Sequence, residues 1–411
     1  MKRLSLILFL VFVVIVFLQD LYIKRINNKV ISPRMYTVVL SLDGFRTDYQ
    51  ELTTTPNLDS IEKNGVRAAG FQPVFPSLTF VNHYTMATGL YAENHGIVGN
   101  AFFDRKLNRV YHMNDSASVL DKRFYGGEPI WVTAESQRIK TATNSWVGAD
   151  VKIKGYQPSK WVSYNANASY TSRIDSVLKW LALPYAERPH LAMCYIEEAD
   201  NCGHKFGPDS PEMSLSVQKI DSLVGYLMQG LSQLSFADSI NVIIVSDHGM
   251  APLDTAKYVN INNYIKANWI DTIICSPTIS HIYCKKNFAD TMLRSFNNID
   301  GVNVWKRSEI PQKYHYSLCE RVGDVVVVAD SGWYLTSKPE PIPINGLHGY
   351  SNFDKLMNGV FYAIGPNFKQ GFDAPNLYNV DLYSLLCNIL ELKPANSDSQ
   401  FDRIKCVLKD Y

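Results

Sequence analysis

The chain has 411 residues, 46% of them hydrophobic and 19% charged, with 40 Lys and Arg against 39 Asp and Glu. That composition is globular; it has no long basic run, low-complexity tract or internal repeat, and nothing in its charge provides a nucleic-acid-binding surface. The length is enough for a large core, held in one long α/β domain or in two or three smaller ones.

Met1-Lys2-Arg3 precedes an apolar run at residues 4–18. The run suits the hydrophobic region of an export signal and falls short of the ~20 residues that span a bilayer. No small-x-small cleavage site follows at residues 19–22. Residues 1–24 therefore read as a signal peptide or as an uncleaved signal anchor, and residues 25–35 as a linker. Both readings predict export to the periplasm or another extracytoplasmic space, and the anchor would also attach the chain to a membrane. Seven cysteines (Cys194, Cys202, Cys275, Cys284, Cys319, Cys387, Cys406) form no C-x-x-C pair, so a zinc ribbon and a thioredoxin-type motif are absent. Their odd number leaves at least one thiol unpaired in a monomer.

Tyr36–Leu42, YTVVLSL, reads as a strand buried on both faces. Similar runs recur at Leu191–Ile196, Ile240–Val245 and residues 324–329 and 360–364, with helical patterns at residues 174–183, 211–234 and 380–390 among them. Strands alternating with helices predict a mostly parallel sheet covered on both faces. Residues 260–343 differ. Short strands at 280–284, 302–306 and 324–329 and one helix near 288–297 read as a small inserted α/β subdomain.

Residues 75–100, FPSLTFVNHYTMATGLYAENHGIVGN, start with a turn-prone Pro76-Ser77 and run into a helix that stops at Gly89. Thr79 falls in its first turn, where free N–H groups and the helix dipole favour a phosphate. A plain N-cap is the ordinary role of a threonine there.

Acidic and histidine side chains gather where strands end. Asp43 follows Leu42, Asp200 and His204 follow Ile196, Asp247 and His248 follow Val245, and His348 precedes the strand at 360–364. Ligands of open α/β sheets collect at the carboxyl ends of strands. Three Asp and three His make a mixed oxygen and nitrogen set, which suits Zn²⁺ better than Mg²⁺ or Ca²⁺. His83, His95, His112, His190, His281 and His315 lack such contexts and read as structural or surface residues.

These stretches resemble the nucleotide pyrophosphatase/phosphodiesterase family of the alkaline phosphatase superfamily. The matching motifs are LSLDGFR (40–46), the 75–100 stretch, GGEPIWVTAE (126–135), EADNCGHKFGPDS (198–210), SDHGM (246–250), GLHGY (346–350) and LMNGVFYAIGPNF (356–368). The resemblance implies an alkaline phosphatase-like fold, with a phosphodiesterase catalytic domain over residues 36–411. It also implies two Zn²⁺ ions, one held by Asp200, His204 and His348, the other by Asp43, Asp247, His248 and the Thr79 oxygen. Thr79 is then the covalent nucleophile, through a phospho-threonine intermediate, and Asn100 is a donor to the phosphate oxygens. Asn82, one turn into the helix, is expected to hold local backbone. Phe80 and Tyr164 are expected to sandwich a nucleotide base, with Trp146 and Asp150 lining the same pocket.

Two departures from the family pattern stand out. The family commonly has K-T-F-P-N where this chain has L-T-F-V-N, so Leu78 and Val81 bear on substrate preference. The large extra domains of animal members are missing, which predicts a stand-alone catalytic domain. Nucleotides are the expected substrates. Choline- or lysophospholipid-directed diesters, a phosphomonoesterase that clamps its dianion with an arginine, and a non-catalytic membrane-tethered binding module are the alternatives. Neither a P-loop nor a dinucleotide glycine motif is present.

Overall fold

The computed structural model describes Gln19, residues 35–338 and residues 343–411. Apart from Gln19 and Met35, the expected signal or anchor segment and the linker lie outside the described residues. Among the described residues, no helix is long and apolar enough to cross a membrane.

The central sheet has eight strands: β1 (Tyr36–Leu42), β2 (Val66–Ala68), β3 (Thr141–Asn144), β4 (Lys160–Val162), β5 (Leu191–Ile196), β6 (Ile240–Val245), β7 (Phe361–Ile364) and β8 (Phe372–Ala374). Their order across the sheet is β8-β2-β7-β6-β1-β5-β3-β4. β1 lies in the middle, parallel to β5 on one side and to β6 on the other. Its alternate residues feed two cores. Val38, Leu40 and Leu42 pack with Ile174, Val177, Val217 and Ile220 of the helices Tyr170–Leu181 and Pro211–Ser232. Val39 joins Val81, Tyr84 and Met86 on the opposite face. A strand covered on both sides has no polar face to keep, which is why YTVVLSL is apolar almost throughout.

The sheet is of the expected α/β type and mostly parallel, with one strand reversed. β7 runs antiparallel to both β6 and β2. A buried strand presents the same apolar faces in either direction, so hydrophobic periodicity carries no information about its sense.

Residues 270–329 build a second, four-stranded antiparallel sheet from Ile270–Cys275, Ile279–Cys284, Val302–Lys306 and Val325–Ala329. Its own core includes Ile282, Val325, Val327 and Met292 from the helix Ala289–Ser295. Ile270–Cys275 was not among the predicted strands. The chain leaves the large sheet through Ala251–Pro252 and returns through Gly346–Leu347, and these two short strands pair antiparallel. All seven cysteines are free thiols. Cys275 and Cys284 sit on neighbouring strands but face Ser280 and Ile270 rather than each other.

Candidate active site

Register places the site. Leu42 is level with Ile196, and Ser41 with Val245, so the segments after β1, β5 and β6 emerge side by side at one edge. There the Gly44 N–H donates to Asp247 Oδ1 at 3.2 Å, and the Asp200 N–H donates to the Asp43 carbonyl at 3.1 Å. Gly44 has φ +66°, and a Cβ on it would lie 2.9 Å from the Asp200 Cα, so this close approach requires glycine. Asp200 and His204 sit one turn apart on α2 (Glu198–Phe206, with the helix Thr79–Thr88 taken as α1). His348 follows the paired strand Gly346–Leu347, which draws it against His248; the two rings stack at 3.6 Å.

Thr79 is the first residue of α1. Leu78 occupies the cap position, with extended backbone and no side-chain cap bond, so the Thr79 hydroxyl is not spent on capping. It lies 3.2 Å from His248 Nε2. At the other end Gly89, with φ +64°, closes the helix by donating to the Thr85 carbonyl.

Two groups of ligand atoms form, Asp43 with Asp247 and His248, and Asp200 with His248 and His348; within each group the atoms lie within 4.8 Å of one another. His248 Nε2 is 3.3 Å from Asp43 Oδ1 and 3.1 Å from Asp247 Oδ2. Asp200 Oδ1 is 3.5 Å from both His204 Nε2 and His348 Nε2. His204 thus belongs to the second group through Asp200.

Three observations fit this set to divalent cations. Asp43 Oδ1, Asp200 Oδ1 and Asp247 Oδ2 are buried without a hydrogen-bond partner, a costly state for a carboxylate oxygen unless a cation meets it. His204, His248 and His348 each place Nδ1 2.9 Å from a backbone carbonyl, of Gly346, Gly249 and Ser77 respectively. A carbonyl only accepts, so each Nδ1 carries the proton and each Nε2 offers a lone pair to the site. Burial, followed by the charges of Asp247 and Asp200, raises the Asp43 carboxyl well above its usual range, and burial pushes Asp247 up to about 8. Burial also lowers His248 far below its ordinary value and His348 to about 4. The site therefore calls for positive charge while keeping the His248 and His348 imidazoles neutral, and bound metal ions satisfy both conditions.

Asn100 reaches the start of α1, where its Oδ1 accepts from the Phe80 N–H at 3.1 Å. The helix-terminal N–H next to Thr79 is thereby committed to Asn100. Asn82 serves the backbone as expected: it accepts from the Val74 N–H and from Asn379, and donates to the Pro76 and Leu78 carbonyls. Asn82→Ala would strand the buried Val74 donor and the Asn379 amide. We expect it to cost about 2–4 kcal/mol, a buried unsatisfied group costing roughly 1–3 kcal/mol, measured by equilibrium unfolding in urea.

Phe80 is half-buried, and its ring meets Tyr111 edge-on at 6.3 Å. Tyr164 is 52% exposed, with its hydroxyl donating to Glu197 at 3.3 Å. Its ring stands 6.2 Å from Tyr195, whose hydroxyl donates to Asp43 Oδ2, which sets Tyr164 at the rim of the metal groups. Asp150 is half-buried and accepts from the Ser163 hydroxyl at 2.6 Å. Trp146, expected to line the same pocket, is 2% exposed, with its indole N–H on the His83 carbonyl.

Two neighbours of the site escaped sequence reasoning. Tyr195, at the end of β5, holds Asp43. His83, expected to be merely structural, lies 3.3 Å from Asp247 Oδ2. Its position four residues after Thr79, on the same helix face, was the available signal.

An α/β protein of alkaline phosphatase-like fold, with a candidate metal centre facing a helix-borne threonine, is the class these features define. The sequence profile described as type I phosphodiesterase / nucleotide pyrophosphatase matches residues 37–351, and the chain belongs to that family. It is 34% identical over 391 residues to a venom phosphodiesterase of Naja atra, covering 91% of this chain and 46% of the relative. It is equally 34% identical over 388 residues to an uncharacterized pyrophosphatase/phosphodiesterase of Schizosaccharomyces pombe, covering 79% of that relative. A 34% match to human ectonucleotide pyrophosphatase/phosphodiesterase family member 1 covers 42% of it, so the chain spans about half the length of the venom and human relatives. Among solved structures, murine ectonucleotide pyrophosphatase/phosphodiesterase 5, an inactive variant in complex with AMP, superposes with a TM-score of 0.87 at 33% identity, over 91% of this chain and 100% of that one.

Proposed function

We propose that this chain hydrolyses phosphodiester and pyrophosphate bonds of nucleotides, releasing a nucleoside monophosphate from triphosphates and dinucleotides through a covalent threonine intermediate. The observation that carries this reading is the uncapped Thr79 hydroxyl, 3.2 Å from His248 Nε2, the residue common to the two ligand groups that hold the buried, partnerless oxygens of Asp43, Asp200 and Asp247. Asp200, His204 and His348 would hold one zinc ion. Asp43, Asp247, His248 and the Thr79 oxygen would hold the other. Bound there, the pair would supply Lewis acidity to the reacting oxygens.

The Thr79 hydroxyl gives up its proton to solvent and its oxygen attacks phosphorus in line, the new bond forming as the bond to the leaving oxygen breaks. Water then attacks the same phosphorus, the phosphorus–Thr79 oxygen bond breaks, and a proton lost by the water restores the threonine hydroxyl. Asn100 has its oxygen committed to the Phe80 N–H, which leaves its NH₂ to donate to a non-bridging phosphate oxygen as charge builds there.

Several features favour a nucleotide diester over the alternatives. A phosphomonoesterase needs a free arginine, yet Arg46 is held by Asp48, Asp209 and the Met250 carbonyl. A choline cage needs an unpaired carboxylate beside its aromatic rings. Glu197, under Tyr164, is already neutralised by Arg173, and Asp150 is engaged by Ser163. A non-catalytic module has no need to keep six metal-type ligands. The AMP bound to the inactive murine relative supports a nucleotide as the ligand of this site. The ecto- and venom enzymes among the relatives support a site of action outside the cytoplasm.

If Phe80 and Tyr164 sandwich the base, Tyr164→Ala should raise KM for a nucleotide about 10-fold, a stacked base being worth roughly 1–3 kcal/mol. Hydrolysis of bis-nitrophenyl phosphate, which has no base, should change less than two-fold. Equal losses on both substrates, or none on either, would remove the sandwich and bring a choline or lipid diester forward.

A further inference from the structure

We infer that His83 is a positioning residue that locks the nucleophile's helix to the metal-ligand edge of the sheet. The inference rests on the reading of Thr79 as nucleophile and of Asp247 as ligand, and it assigns a role to a residue outside both sets.

The ring is fully buried, and three elements meet on it. Its Nδ1 is 2.9 Å from the carbonyl of Thr79, one turn back on α1, and 3.3 Å from Asp247 Oδ2, beyond the end of β6. Its Nε2 is 2.9 Å from the hydroxyl of Ser41, two residues before Asp43 on β1. These partners fix the tautomer. A carbonyl cannot donate, so Nδ1 carries the hydrogen, and Nε2 accepts from the Ser41 hydroxyl. The Nδ1–H therefore donates to the backbone of the nucleophile, and the same ring edge lies against Asp247 Oδ2, an oxygen that accepts no hydrogen bond and that His248 Nε2 also approaches, at 3.1 Å.

The surroundings hold the ring in that orientation. The Trp146 indole donates to the His83 carbonyl at 3.2 Å, and the Trp146 and Tyr195 rings stand edge-on to the imidazole at 5.2 and 5.0 Å. This gives buried Trp146 a place in the site that does not depend on stacking. The consequence is mechanical: Thr79 can drift from Asp247 only if the His83 contacts break. Small displacements of a nucleophile or a ligand carry large costs in rate and metal affinity.

The test uses His83→Leu, which keeps bulk without polarity, His83→Asn, whose amide NH₂ can take the Nδ1 position, and His83→Gln, whose amide reaches the Nε2 position. Zinc retention is read by competition with a chromogenic chelator, and kcat and KM are measured with a nucleotide diester. We expect His83→Leu to weaken zinc retention and lower kcat about 10- to 100-fold each, the range for an outer partner of a ligand, with KM changed less than three-fold. His83→Asn should recover most of both losses, and His83→Gln should recover little. Wild-type retention and kcat in His83→Leu, or recovery by Gln rather than Asn, would overturn the proposal. Chelator competition on a Thr79→Ala background separates the two claims, because it reads His83 without any turnover. Retention that falls there with His83→Leu supports the proposal even if Thr79 proves not to be the nucleophile, and unchanged retention overturns it.

Discussion

Thr79→Ala is expected to lower kcat toward a chromogenic nucleotide diester by on the order of 10⁴-fold or more, the scale seen when a covalent nucleophile is removed. Thr79→Ser should keep a rate within about two powers of ten of wild type, because the chemistry requires only the oxygen. The alanine variant should still fold. Thr79 is half-exposed at the helix start, and its hydroxyl caps nothing. Near-UV circular dichroism and zinc content would separate loss of chemistry from loss of structure. An alanine variant that turns over diesters at the wild-type rate would end the covalent reading.

The second large effect is removal of metal. Exhaustive dialysis against a chelator should abolish turnover, and zinc should restore it. Elemental analysis of the wild type should return two equivalents of zinc per chain. Asp247→Ala should lose the ion on the Thr79 side, and His348→Ala the other. Each should cost more than the roughly 10- to 100-fold expected from loss of an outer partner. The buried, partnerless oxygens of Asp43, Asp200 and Asp247 also predict a lower Tm for the metal-free protein, since ions that bind only the folded state stabilise it. Wild-type protein purified without chelator and free of any transition metal would contradict this.

The parts of the fold legible in the sequence are those whose chemistry is local. β1, β5 and β6 are buried on both faces and read as apolar runs, and the residues just past them read as ligands because strand ends are where side chains escape the core. The sense of β7 was not legible, since direction leaves no trace in hydrophobicity. Ile270–Cys275 was missed because its residues are mostly half-buried, with Asp271 and Thr272 interrupting any apolar run. The contacts of His83 were not legible for a different reason. Apart from the Thr79 carbonyl, its partners lie far off in sequence, at Ser41 and Asp247, and no window of neighbouring residues contains them. For Trp146 the bond of its indole N–H to the His83 carbonyl, 63 residues away, was equally out of reach of any local window.

The stereochemical course at phosphorus tests the central claim most directly. A phosphorothioate diester of known chirality would be hydrolysed in isotopically labelled water and the configuration of the monoester product determined. Each in-line displacement inverts phosphorus, so attack by Thr79 followed by attack of water predicts net retention. Net inversion would mean that water attacks the diester in a single step, and the threonine intermediate would be excluded.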